Sequence, residues 1–201
     1  METHLETRTA SPDDIDIVTT TVTLAFFDDP VWGPAMGGSR TTVAERAVLW
    51  RVLVTGAVRY PWSRLLPGGA ATSVWIPPGG TELADEHEGL LATALVRILG
   101  PAGAAEFDEL IERFEATHAR ETPHAYLSLL ATHPDHRGHG LGMALLADDL
   151  QRLDAEHLPA YLESTNPAND RRYMSVGFEP VGEFRTVDEE RVITRMWRPA
   201  R

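Results

Sequence analysis

Between Leu127 and Leu146 the chain runs through an apolar stretch, a turn and a second apolar stretch, and that order restricts it more than any other feature. The turn, His133-Pro134-Asp135-His136-Arg137-Gly138-His139-Gly140-Leu141-Gly142, places glycine at three alternate positions. Such spacing lets a backbone turn tightly and approach a ligand with no side chain between them. An apolar stretch before it reads as a buried strand, and Leu141 to Leu153 reads as a helix. The first amides of a helix have no internal acceptor, and the helix dipole adds partial positive charge there. A strand, a glycine turn and a helix N-terminus therefore make a site for an anion such as a diphosphate. Arg137 at the rim adds a charge-assisted donor. The turn lacks the Gly-Lys-Ser/Thr of a nucleotide triphosphate loop and the spacing of a dinucleotide fingerprint.

The remaining elements alternate in type. Leu5 to Ala10 reads as an edge strand, and Ser11-Pro12-Asp13-Asp14 as a helix start. Ile15, Val18, Val22 and Phe26 carry that helix to about Phe27, where Asp28-Asp29-Pro30 ends it. Val31 to Gly38 reads as a loop, and Thr41 or Thr42 opens a second helix to about Tyr60. Leu65-Leu66 and Ala70 to Ile76 read as a hairpin about Pro67-Gly68-Gly69. Helices are expected over Thr81 to Leu99 and Ala104 to His118, separated by Gly100-Pro101. Strands follow over Tyr126 to Thr132 and Ala160 to Glu163, with a short helix over Pro167 to Val176. Phe178 to Thr186 and Arg191 to Trp197 close as a hairpin. This order implies an α/β (α+β) domain with a largely antiparallel sheet.

The phosphate turn has a partner downstream. Leu162-Glu163-Ser164-Thr165-Asn166-Pro167, then Asn169, then Tyr173-Met174-Ser175-Val176-Gly177-Phe178 form a strand end, paired asparagines and a Tyr followed by Gly-Phe. Together with Arg137-x-x-Gly140-x-Gly142, this resembles the GNAT superfamily of N-acetyltransferases, whose acetyl-CoA signature is Gln or Arg, two residues, Gly, one residue, Gly or Ala. The match is good from Pro123 to about Trp197; the stretch from 80 to 122 is not diagnostic. The Val74-Trp75, Leu162-Glu163 and Tyr173 to Phe178 segments look most like the family's puromycin N-acetyltransferase-like small-molecule branch.

The resemblance implies one GNAT domain over residues 1–201, with a mixed, mostly antiparallel sheet of about six to seven strands. Two neighbouring strands should splay at the cofactor site, with helices on the flanks. It implies transfer of an acetyl group from acetyl-CoA to a primary amine of a small molecule, through a tetrahedral intermediate. Residues placed at the cofactor are Leu130, Ala131, Thr132, Arg137, Gly138, His139, Gly140, Leu141, Gly142, Met143, Asn166 and Asn169. Tyr173 is the candidate general acid, because a phenol stays protonated at neutral pH and can donate to a departing thiolate. Glu163 is the candidate general base, with His124 as an unsupported alternative. Asp28, Asp29, Trp32, Trp75 and Tyr126 are placed at the acceptor, since carboxylates beside Val31-Trp32 suit a cationic amine on an apolar body. Two competing readings are a non-catalytic CoA-binding module and a protein or peptide N-acetyltransferase.

Composition narrows the partners. A formal net charge of -12 opposes binding to nucleic acid phosphates and anionic membranes, and favours cations weakly. No nucleic acid or membrane partner is expected, and a homodimer is left open. With no cysteine, disulfides, thiolate metal sites and cysteine nucleophiles are excluded. His133, His136 and His139 are three apart, but Pro134 and Gly138 keep them off one helix face, so no metal is expected. Met1 to Ala10 has no apolar core, the apolar stretches are too short to span a bilayer, and a cytoplasmic protein is the expectation.

Overall fold

The computed structural model describes residues 6–201. Strand β1 is Arg8–Thr9, so the expected edge strand is shorter than read, and Leu5 lies outside the described residues. Helix α1 spans Ile15–Ala25 after a tight turn over Pro12–Asp14. Asp14 accepts from Ser11 N and Oγ, both at 2.9 Å, and from both terminal nitrogens of Arg8, closing that turn. The loop expected over Val31 to Gly38 contains a short helix, α2, Trp32–Ala35. Helix α3 is Val43–Val58, opened by a capping box in which Thr42 and Glu45 satisfy each other's amides. Strands β2, Arg64–Leu65, and β3, Ala71–Ile76, form the expected hairpin.

The next two expected helices are one kinked element, α4, Asp85–Thr117. Gly100 sits at φ 76°, ψ 170°, which breaks the ladder, and Pro101 restarts it as a first-turn residue. Asp85, Glu86 and Glu88 place the helix start four residues later than expected, since acidic groups favour the positive end of the dipole. By length and composition this element could cross a bilayer, contrary to the sequence reading. Its Leu91, Leu95, Phe107 and Leu110 are buried in the protein's own cores.

Strand β4 is Ala125–Thr132, helix α5 is Leu141–Ala155 and strand β5 is Ala160–Ser164. Helix α6 is Asp170–Ser175, and strands β6, Glu179–Arg185, and β7, Val192–Arg198, form the last hairpin. The seven strands among the described residues lie in the order β1-β2-β3-β4-β5-β7-β6. Among the described residues, only β4 and β5 are parallel.

Two apolar layers hold this sheet. On one face α1, α3 and α4 bury Val22, Trp50, Leu95 and Phe107 against Val74, Leu129 and Ala131. On the other, α5 buries Leu146, Leu150 and Leu153 against Trp75, Leu127, Leu162 and Phe178. Each such side chain contributes about 1.5–3 kcal/mol when fully buried. Buried Asp149 ties α5 to the sheet: it accepts from Ser73 Oγ at 2.6 Å, Trp75 Nε1 at 2.9 Å and Arg64 Nη1 at 3.0 Å. Removing it would leave Ser73 Oγ and the Trp75 indole nitrogen buried without their acceptor, while Arg64 keeps Asp148, a loss of about 1–3 kcal/mol.

Two irregularities in β4 build the site. Val74 pairs with Leu129 but Trp75 pairs with Leu127, so Ser128 is an unopposed bulge residue. Leu127 and Leu129 therefore face opposite cores, although a regular strand would put them on one face. The second irregularity is at the parallel pair, where β4 meets β5 only at Ala125–Ala160 and Tyr126–Tyr161. Beyond Tyr126 the two strands part, and β5 continues along β7 while β4 continues along β3.

Candidate active site

The parting of β4 and β5 leaves one edge of β4 without a strand partner. In an antiparallel pair, successive residues turn their backbone groups alternately toward and away from the neighbour. His133 N bonds Ala70 O at 3.0 Å, so by this alternation Ala131 faces β3 and Leu130 and Thr132 face the gap. Leu130 and Thr132 line a cavity of about 660 Å³ there. Ala131 does not: its side chain is buried in the first core, which corrects its placement at the cofactor.

The glycine turn forms one wall of this cavity. Arg137, Gly138, Gly140, Leu141, Gly142 and Met143 all line it. Gly140 caps α5 at φ 71°, a left-handed conformation that a side chain resists. A Cβ on Gly142 would come within 2.6 Å of Thr132 Oγ1, so glycine brings the helix start against β4. From Gly138 to Met143 no amide has an acceptor among the described residues; the ladder begins with Ala144 N to Gly140 O. The Arg137 amide is taken by Pro134 O, so the free run starts at Gly138. Arg137 Nη2 is held by Ala25 O at 2.8 Å, which keeps its guanidinium at the rim. The His139 side chain lies outside the cavity, with Nδ1 3.3 Å from His136 O, so only its amide belongs to the cradle. Consecutive free amides on a glycine turn fit the diphosphate of a coenzyme.

Asn166, Asn169 and Tyr173 line the opposite side of the same cavity. Asn166 Oδ1 also accepts from Ala168 N, capping the turn into α6, and Asn169 Oδ1 accepts from Arg172 Nη1. The Tyr173 hydroxyl is pushed up to about 12, first by burial and then by Asp29 and Asp170, so it stays protonated at neutral pH. Asp28 and Asp29 line this cavity too, not the acceptor space expected for them. Asp29 is occupied internally, accepting from Val31 N at 2.9 Å, Trp32 N at 3.0 Å and Thr165 Oγ1 at 3.0 Å.

A second cavity, of about 810 Å³, lies on the other side of the parted strands. Trp32, Trp50, Ile111, Phe114, Tyr126 and Leu129 give it an apolar wall. Trp32 stacks on Phe114 with centroids 5.5 Å apart. Glu82, Glu88, Glu115 and Glu163 also line it, and Arg120, the one arginine there among the described residues, is paired with Glu115. Trp75, expected here, is instead buried in the second core with its indole nitrogen on Asp149.

Glu82 and His118 were not legible as site residues, because they fall in the undiagnostic stretch. Glu82 follows the Pro77-Pro78-Gly79-Gly80 turn and accepts from the hydroxyl of the bulge residue Ser128. Burial pushes Glu82 up to about 7 against that hydrogen bond, with Glu163 and Glu115 adding to the rise. Glu163 is shut from solvent, with 1 % of its side chain exposed, and His118 Nδ1 lies 3.4 Å from its Oε1. The two cavities share their strands: Leu129 faces one and Leu130 the other, and Thr165 and Asn166 divide in the same way.

The profile of the acetyltransferase (GNAT) family matches residues 67–178, more than half of the chain. Solved structures agree over nearly the full length. The histone acetyltransferase HPA2 and related acetyltransferase from Corynebacterium glutamicum superposes with a TM-score of 0.66 at 22% identity, over 97% of this chain and 96% of that one. Arylalkylamine N-acetyltransferase 2 from Aedes aegypti gives 0.65 at 15% identity, over 98% and 100%. The Drosophila melanogaster polyamine N-acetyltransferase, which forms N-acetylagmatine, gives 0.64 at 15% identity, over 96% and 98%.

Proposed function

The chain belongs to the GNAT acetyltransferase family, an acetyl-CoA-using N-acetyltransferase family, and on that footing we propose that it acetylates a primary amine on a small molecule with an apolar, largely aromatic body. The observation that carries this reading is the sharing of β4 and β5 by two cavities of unlike chemistry. One has a cradle of free amides, and the other has aromatic walls with carboxylates set into them. A ligand in each would meet at the gap beyond Tyr126. The arylalkylamine and agmatine enzymes among the structural neighbours act on amines of related kinds, and puromycin-type aminonucleosides fall within the same description. A single domain over residues 1–201 would carry the activity.

Bound acetyl-CoA supplies the acetyl group as a thioester. The amides from Gly138 to Met143 and the Arg137 guanidinium hold the diphosphate. Backbone groups of Leu130 and Thr132 orient the arm that reaches the gap, and a donor there stabilises the developing oxyanion by a few kcal/mol. Glu163 takes a proton from the acceptor amine, and Tyr173 returns one to the departing sulfur. Glu82 and the aromatic wall hold the acceptor's body and charge.

A thiol-release assay with acetyl-CoA tests the reading, using tryptamine, puromycin, agmatine and a short peptide as acceptors. The expected result is release with one or more aromatic amines, faster than with the peptide. Release with the peptide alone would move the activity to protein substrates. No release with any acceptor, while CoA still raises the melting temperature, would make the chain a binding module.

A further inference from the structure

Both carboxylate oxygens of Glu163 are buried without a hydrogen-bond partner among the described residues. An ionised carboxylate in such a place is costly, so its neighbours decide what it can do. The nearest ring nitrogen is His118 Nδ1, 3.4 Å from Oε1. His118 is the residue that ends α4, and its ring stands edge-on to Tyr126 and Tyr161 at 4.8 Å from each.

A second histidine settles which nitrogen of His118 carries hydrogen. His124 Nδ1 lies 2.7 Å from Thr122 O. A carbonyl only accepts, so His124 Nδ1 is the protonated nitrogen. Burial, the largest influence, pushes the His124 imidazole below its ordinary range, so the ring is neutral and its Nε2 is a lone pair. His118 Nε2 lies 3.2 Å from that lone pair and must donate to it. In a neutral His118 the remaining nitrogen, Nδ1, then presents its lone pair to Glu163 Oε1. Two lone pairs facing each other repel, and a single proton between them removes the repulsion.

From this arrangement we infer that His118 is a positioning residue, through which Glu163 takes the acceptor's proton and holds it between Oε1 and His118 Nδ1. The inference rests on Glu163 being the base proposed above. The step balances. An N–H bond of the acceptor ammonium breaks, and its proton passes to the Glu163–His118 pair. The freed nitrogen lone pair forms the C–N bond while the C–S bond breaks. Tyr173 gives the sulfur its proton and regains the second proton that the nitrogen sheds. The pair returns its proton to solvent by way of His118, whose side chain is 20% exposed.

Other groups face this pair. Glu82 approaches from the loop before α4, Tyr126 from β4, Tyr161 from β5, Arg195 from its cross-strand position on β7, and His124 from the loop before β4. Burial holds both tyrosine hydroxyls well above their ordinary value, so they do not titrate near neutrality. Glu82 does titrate there, so the ring-nitrogen spectra are taken in the Glu82→Gln background, while the kinetics, where Glu82 holds the acceptor, are run in the parent chain.

Ring-nitrogen NMR of the full chain reads the pair without any substrate. The expected result is a His118 with hydrogen on Nε2 and an Nδ1 signal that moves in Glu163→Gln, since the carboxylate beside Nδ1 is then gone. In thiol release with tryptamine or the panel's fastest amine, His118→Asn is expected to lower kcat about tenfold or more with KM within about threefold, and to move the acid limb of the pH profile. That substitution should have no further effect in a Glu163→Gln chain. A His118 Nδ1 signal that is the same with and without the Glu163 carboxylate, or hydrogen found on Nδ1 with Nε2 bare, overturns the inference while leaving Glu163 as base. Undiminished thiol release by Glu163→Gln removes the base reading and the inference together. Should Glu163→Gln not fold, Glu163→Asp, which withdraws the carboxylate from Nδ1, is read by the same criteria.

Discussion

Thr165 Oγ1 donates to Asp29 Oδ2 over 3.0 Å, and this bond ties the loop after α1 to the end of β5 where the two cavities meet. Asp29 Oδ1 meanwhile takes the amides of Val31 and Trp32, so the carboxylate folds the loop that presents Trp32 to the aromatic wall. Asp29→Ala leaves both amides and a buried hydroxyl unsatisfied. A loss of about 1–3 kcal/mol in urea unfolding is expected. An unchanged midpoint would remove the structural role given to this residue.

Tyr173→Phe keeps the ring that packs on Phe178 and removes only the hydroxyl. Turnover is expected to fall about a hundredfold or more, with CoA affinity within about twofold of the parent. Steady-state kinetics and calorimetric CoA binding check the two halves separately. An equal loss in both would place the hydroxyl in cofactor binding instead.

Gly140→Val forces a branched side chain into the left-handed cap of α5. The backbone cost is about 1–2 kcal/mol, and relief of that strain swings the free amides away from the diphosphate. The rise in melting temperature produced by CoA should shrink, corresponding to about tenfold weaker binding. A CoA-dependent shift equal to the parent's would separate the glycine turn from cofactor binding.

Glu82 gives a pH signature of the opposite sign to acid denaturation. Its folded-state value, about 7, lies above the unfolded value of ~4.3, so between these the folded chain holds more protons and stability falls as pH rises. Glu82→Gln removes that slope. It should stabilise the protein more at pH 8 than at pH 5, by on the order of 1–2 kcal/mol after allowing for residual exposure. Asp14 works the other way: Arg8 holds it well below the usual carboxylate range, and its contribution is lost as pH falls below ~3.9. Chemical unfolding at pH 5 and pH 8 checks the sign for Glu82, and comparing Asp14→Asn with the parent at pH 5 and again below pH ~3.9 checks the sign for Asp14.

The elements legible in advance were those whose signals are local. The Ser11-Pro12-Asp13-Asp14 start, the Thr42–Glu45 capping box and the glycine turn before α5 each depend on residues within one helical turn. The short helix at Trp32–Ala35 was not legible because the partner its Trp32 packs on, Phe114, comes from α4. Trp75 and Ala131 were misplaced for a related reason. Alternation shows that a strand has two faces, but not which face meets a cavity.

The amino-acid sequence by itself determined the run of free amides, since glycine at 138, 140 and 142 followed by an apolar helix needs no distant partner to expose them. Tertiary structure alone decided the second, aromatic-walled cavity. The bulge at Ser128, the parting of β4 from β5 after Tyr126 and the meeting of Glu82, His118 and Glu163 join segments far apart in the chain. Such a cluster of carboxylates and rings exists only once packing has removed water from around it, and that burial is what raises Glu82 and leaves Glu163 dependent on its neighbours.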